Sequence, residues 1–186
     1  MVQIVDFPAH DKEIIQQAAT LLIEGFKDHW PAAWPDMDRA LQEVHDSLGS
    51  GGINRIALDE DGTVLGWVGA ISQYDAHAWE LHPLVVHIDH QRKGIGRALV
   101  ADLETQVRKR GGITIYLGTD DEDNMTTLGG TDLYPDVIGH LSHIRNLRGH
   151  PYEFYQKLGY AIVGVIPDAN GLGKPDIIMA KRIGTG

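Results

Sequence analysis

Apolar residues recur every four positions at Ile14, Ala18, Leu22 and Phe26, with Ile15, Ala19 and Leu21 widening the stripe. This pattern predicts an amphipathic helix capped by Asp11 and running to about Lys27. Trp30-Pro31 and Trp34-Pro35 interrupt the chain, and Asp36 is placed to cap a second helix with Met37, Leu41, Val44 and Leu48 on one face. Strands are expected at Ile53 to Leu58 and Val64 to Ser72, joined by the turn Asp59-Glu60-Asp61-Gly62, and again at Trp79 to Val86. Pro83 removes a ladder donor inside the third of these, so a bulge or an unpaired edge is expected there. Ile95, Leu99, Leu103 and Val107 mark a helix ended by Gly111-Gly112. A short strand at Ile113 to Leu117, a short helix at Glu153 to Leu158 and strands at Ala161 to Ile166 and Ile177 to Arg182 follow, with one more strand possible over residues 1–6. Residues 119–148 are polar, aperiodic and too long for a simple connection, which points to a functional insertion. The order predicts one mixed α/β domain over residues 1–186, without repeats or a linker.

Composition adds boundaries. Apolar residues make up 42 % of the 186, enough for a sizeable core, and the longest apolar runs fall short of a membrane span. There is no cysteine, which excludes disulfides, a thiol nucleophile and thiolate metal sites. With no signal-peptide pattern at its start, the chain is expected to be cytoplasmic. The net charge of −10 opposes attraction to nucleic acid or an anionic membrane. Its distribution is uneven: Arg92, Lys93, Arg97, Arg108, Lys109 and Arg110 cluster, whereas no Lys or Arg lies between Arg55 and Arg92 or between Arg110 and Arg145. One anionic ligand and one cationic ligand at separate places would suit this arrangement.

The basic cluster opens with Val85-Val86-His87-Ile88-Asp89-His90-Gln91-Arg92-Lys93-Gly94-Ile95-Gly96-Arg97-Ala98, a strand end, a glycine loop and a helix start. Exposed amides and the positive dipole end of a helix favour an anion there, and Gly94 and Gly96 let backbone approach it. Neither the P-loop string nor a third glycine for a dinucleotide fingerprint is present, since position 99 is Leu. Taken alone, the loop also reads as a glycine-rich turn with a solvated basic face.

Gln91-Arg92-Lys93-Gly94-Ile95-Gly96 resembles the coenzyme A pyrophosphate loop of the GCN5-related N-acetyltransferases. His150-Pro151-Tyr152-Glu153-Phe154-Tyr155-Gln156-Lys157-Leu158-Gly159-Tyr160 resembles that family's short helix, whose tyrosine lies close to the CoA sulfur. The stretches Trp79 to Val86, Gly111 to Asp121 and Gly164 to Gly171 are similar to aminoglycoside 6'-N-acetyltransferases. Residues 1–75 carry no nameable motif. Many members place an asparagine seven residues before the tyrosine; here that position is Arg148, with Asn146 nearby.

The resemblance implies a mostly antiparallel mixed sheet, splayed at the CoA site and flanked by helices. It also implies acetyl-CoA as donor, a homodimer, and direct acetyl transfer to a polycationic amine. Leu84 N–H would contact the thioester carbonyl, with Val85 and Val86 along the pantetheine arm. Gln91, Arg92, Lys93, Gly94, Ile95, Gly96, Arg97 and Ala98 would hold the pyrophosphate, with Tyr155 and Lys157 also at the cofactor. Glu80 is the preferred base, either directly or through water, and His82 shares its face in a regular strand. Tyr155 would stabilise the leaving thiolate. Glu80, Asp120, Asp121, Asp136 and Asp168 are candidates to hold the cationic acceptor, with Asp123 and Asp176 behind them. A solvated acid face, a structural histidine and a packing tyrosine are the plainer readings of these residues. His140 and His143 lack a metal motif, so no metal is expected. A polyamine or lysine-rich peptide as acceptor, or a non-catalytic CoA sensor, are the alternatives.

Overall fold

The computed structural model describes residues 2–28, 30–49 and 51–184. The chain forms two compact units, residues 1–115 with 183–186 and residues 116–182.

The first unit opens with strand β1 (Gln3–Asp6) and helix α1 (Lys12–Phe26). As expected, the Asp11 side chain accepts hydrogen bonds from Glu13 N and Ile14 N, satisfying amides that a helix start leaves bare. Asp36 caps helix α2 (Met37–Gly49) in the same way through Arg39 N at 2.9 Å. Strands β2 (Ile53–Leu58), β3 (Val64–Gln73) and β4 (Ala78–Val86) continue an antiparallel order β1-β2-β3-β4. Helix α3 (Ile95–Lys109) buries Ile95, Leu99, Leu103 and Val107, the predicted stripe, together with Val100.

Helices cover both faces of these strands. α1 and α2 share a core with Ile56, Trp67 and Val85. On the α3 side, a Cβ on Gly66 would meet Leu99 Cδ1 at 2.9 Å, so the glycine lets the helix sit close. Buried Arg55 on β2 ties the layers together, donating to Asp102 on α3 at 2.5 Å and to Asp6 on β1.

The expected irregularity at Pro83 is present. Val68 pairs with Leu84 but Ala70 pairs with Leu81, so His82 and Pro83 together stand opposite Gly69 alone. An odd insertion exchanges the faces of everything beyond it, because side chains alternate with period two. The contacts follow that rule. Before the insertion, Trp79 lies on the α3 side, within 2.8 Å of where a Gly112 Cβ would stand beside Val107, with Arg110 stacked 5.6 Å above its ring. His82 faces α2. Past the insertion, Val85 sits against Gly25 of α1.

The second unit holds β5 (Thr114–Asp120, which starts at the end of the first), α4 (Val137–Ser142), α5 (Tyr152–Lys157), β6 (Ala161–Ile166) and β7 (Asp176–Arg182). β7 lies between β5 and β6 and pairs antiparallel with β6. The aperiodic segment is ordered by polar contacts. Asp121, fully buried, accepts from Met125 N, Thr126 N and Thr126 Oγ1 at 2.6–2.9 Å. Thr126 bridges to Asn146, whose amide clamps the backbone of His150 through both its N–H and its C=O. The mixed α/β class is therefore borne out, while α4 and the 3-10 turn at Ile88–His90 were not foreseen.

Gly69 is required at the insertion because a Cβ there would lie 2.4 Å from His82 O. Gly69→Ala is expected to cost about 1–3 kcal/mol through overpacking against backbone. That corresponds to a Tm lowered by about 2–12 °C in a thermal melt; an unchanged Tm would mean that the close approach does not exist in solution.

Candidate active site

β4 and the loop after it carry the site of the first unit. Glu80, His82, Leu84 and Val86 are half-buried, alternating with buried Trp79, Leu81, Pro83 and Val85. Glu80 Oε2 accepts from Gln73 Nε2 at 3.4 Å. His82 meets two residues that the sequence had not joined to it. Its Nε2 lies 3.4 Å from Glu43 Oε1, and its ring centroid is 6.3 Å from that of Trp34. The hydrogen bond and charge of His82, aided by Trp34, hold the Glu43 carboxyl below its ordinary range against the opposing effect of burial. Trp34 is itself buried edge-on between Phe26 and Trp30, which assigns the two Trp-Pro pairs partly to packing.

Beyond β4 the chain turns on polar contacts. Gln91 Nε2 donates to Val86 O at 3.2 Å, fastening the loop to the strand end. Arg92 and Gly94 have positive φ, 58° and 89°, and Gly94 enters α3 with no side-chain cap. Ala98 N bonds Gly94 O at 3.0 Å, whereas the amides of Ile95, Gly96 and Arg97 have no intrahelical acceptor. Arg92, Lys93, Arg97 and Ala98 are exposed around them, and Ile95 is buried in the core. Uncapped amides, a helix N-terminus and three cations form a donor set that fits a diphosphate.

In the second unit, Tyr155 is buried on α5 with Phe154 and Tyr160 edge-on at 5.1 and 5.7 Å. Burial pushes its phenol well above the ordinary range, so the O–H keeps its proton throughout neutral pH. Lys157 is exposed. α5 is set by His150, which is buried, donates from Nε2 to Asp120 O at 3.0 Å, and accepts Tyr152 N at Nδ1.

The acidic residues differ in their surroundings. Asp121 has no exposed surface and its carboxylate is saturated by its own loop, so it is a structural hub and is corrected from an acceptor contact. Asp136 is exposed and caps α4 through Gly139 N; Asp168 accepts from Gly173 N at 2.6 Å in a turn. Asp120 accepts from the Asn170 amide. Arg148 reaches the carbonyls of Asp123 and Asn124, so it too organises the loop. Among the described residues no cluster of three His, Asp or Glu is placed to hold a metal, and no helix is long and apolar enough to cross a membrane.

The chain matches the model of the acetyltransferase (GNAT) family over residues 15–129. Among solved structures it is similar to an aminoglycoside 6'-N-acetyltransferase complexed with coenzyme A, at 46 % identity over 97 % of each chain with a TM-score of 0.88. It is also similar to the aminoglycoside 6'-N-acetyltransferase from Enterococcus faecium, at 45 % identity, 97 % of each chain and a TM-score of 0.86. An aminoglycoside 6'-acetyltransferase type Ii shares 38 % identity over 97 % of each chain with a TM-score of 0.73. No curated protein matches significantly.

Burial lowers the pKa of His150 despite the opposing hydrogen bond and charges of Asp120 and Asp121. The unfolded chain therefore takes up a proton first as pH falls, so stability is complete above about 6.5 and declines below it until the native imidazole is also protonated. Thermal melts between pH 8 and 5 should show this decline in the wild type, with a flatter profile for His150→Gln. Parallel profiles would remove His150 from the acid response.

Proposed function

The chain belongs to the acetyltransferase (GNAT) family, and on that premise we propose that it acetylates the 6'-amine of aminoglycosides by direct attack within a ternary complex. The observation that carries the choice of acceptor is the 46 % identity over 97 % of both chains to an aminoglycoside 6'-N-acetyltransferase. Acetyl-CoA supplies an acetyl group activated as a thioester.

The residues divide the remaining work. The first-turn amides of α3 with Arg92, Lys93 and Arg97 bind the pyrophosphate, and Gly94 keeps the backbone accessible. The insertion opposite Gly69 interrupts the ladder between Leu81 and Leu84, which supports Leu84 N–H as the group that polarises the thioester carbonyl. Val85 and Val86 flank the pantetheine arm. Glu80 and His82 are the groups that can take the proton an ammonium must lose before it attacks. Tyr155 serves the leaving thiolate. Because its phenol is raised far above a thiol's ordinary pKa, its part is donation of a hydrogen bond that stabilises the sulfur anion, with its own proton retained. Glu80, Asp120, Asp136 and Asp168 are the acids assigned to the cationic acceptor. The proposal includes residues 1–186 working as one catalytic domain, as a homodimer and in the cytoplasm.

Thiol release from acetyl-CoA should be fast with kanamycin and absent with a 6'-hydroxyl aminoglycoside. Turnover confined to spermidine or to a lysine-rich peptide would keep the chemistry and overturn the acceptor. Tyr155→Phe is expected to lower kcat by about 10²-fold with acetyl-CoA affinity nearly unchanged, as measured by steady-state kinetics and calorimetry. Unaltered kcat would eliminate Tyr155 from the reaction.

A further inference from the structure

We infer that Glu43 is a positioning residue for the transfer, holding His82 by Nε2 so that Nδ1 is the atom that accepts the amine's proton. This rests on the acetyl-transfer reading above. Three observations carry it. Glu43 stands on α2, in the part of the chain without a motif, yet its Oε1 lies 3.4 Å from His82 Nε2. Alternation along β4 carries His82 onto the face opposite Trp79, the face it shares with Glu80, and so toward α2. Buried Trp34 adjoins both members of the pair, its ring centroid 6.3 Å from that of His82 and its side chain hydrogen-bonded to Glu43.

Chemistry then fixes the proton. Glu43 is held ionised, and a carboxylate can only accept, so the imidazole nitrogen facing it must be the donor. A neutral imidazole has one donor and one acceptor, which leaves Nδ1 as the acceptor. Nδ1 takes the proton that the ammonium gives up; as the freed amine nitrogen bonds to the acyl carbon, the electron pair of the breaking C–S bond leaves with the sulfur and the nitrogen sheds its surplus proton to solvent. The resulting imidazolium is stabilised by Glu43 until it releases the proton to solvent. The separation of 3.4 Å is longer than the roughly 2.7–2.9 Å of a formed charge-assisted bond, and catalytic hydrogen bonds tighten when substrate closes the site. His82 thereby has a partner that fixes its tautomer, and α2 gains a role in the chemistry.

The test combines an activity-free readout with a mutant cycle. Long-range nitrogen–proton NMR of the wild type at pH 8, with His82→Ala used to assign the signals, should show the His82 proton on Nε2. In Glu43→Ala that preference should be lost. Glu43→Gln, of the same shape, should lower kcat by about 10–100-fold with the KM for acetyl-CoA unchanged. Glu43→Gln combined with His82→Ala should lose no more than His82→Ala alone, because the carboxylate acts only through the imidazole. A proton on Nδ1 in the wild type, or losses that multiply in the double variant, would overturn the inference. Absence of wild-type turnover on every amine would overturn it together with the acetyl-transfer reading, and a wild-type protein that turns over normally without the Nε2 tautomer would overturn the dyad alone.

Discussion

The arrangement of the first unit depends on a count of two residues against one. Where His82 and Pro83 stand opposite Gly69, β4 exchanges its faces, and each half of the strand then addresses a different helix. Trp79 packs toward α3, while Val85 packs into the core made by α1 and α2. Without the extra residue, every side chain beyond the insertion would change sides and the α1–α2 core would lose Val85. The same interruption frees backbone groups in the middle of a ladder, something a regular strand cannot offer. The fold and the proposed chemistry thus draw on a single irregularity, and Gly69 makes it possible by presenting no side chain to the carbonyl of His82.

Much of this was legible in the sequence. Periodicity located α1, α2, β2 and α3 to within a residue or so, because their buried faces follow the spacing that amphipathic packing demands. Asp11 and Asp36 announced their helix starts, and Pro83 announced the irregularity because its missing N–H had to be accommodated. The turn from Gln91 into α3 was readable because Gly94, at positive φ, marks the entry to the helix. What sequence could not show was long-range company. Nothing in the α2 stripe distinguishes Glu43 from a solvated helix acid, since its meaning comes from His82, about forty residues away on β4.

The acids taught the opposite lesson. Asp120, Asp121, Asp136 and Asp168 look alike in a string of negative charges, yet each has its own local task in the structure. Residues 119–148 were illegible for the same reason. Their order comes from carboxylate, hydroxyl and amide side chains bonding to nearby backbone, which leaves no hydrophobic period behind. α4 escaped notice because it is short and buries no residue fully.

The hub at Asp121 has a consequence for how such a protein can change. One sealed carboxylate, with Thr126, Asn146 and His150, fixes the frame of a long surface segment. The exposed side chains of that segment, such as those of Tyr134 and Ile138, bury little of their surface in the frame. They are therefore free to vary in size and charge generation after generation, while the four framing residues are held by the cost of leaving buried polar groups unpaired. The architecture separates what must be inherited intact from what can drift, and a new surface chemistry can be tried there without first dismantling the old scaffold.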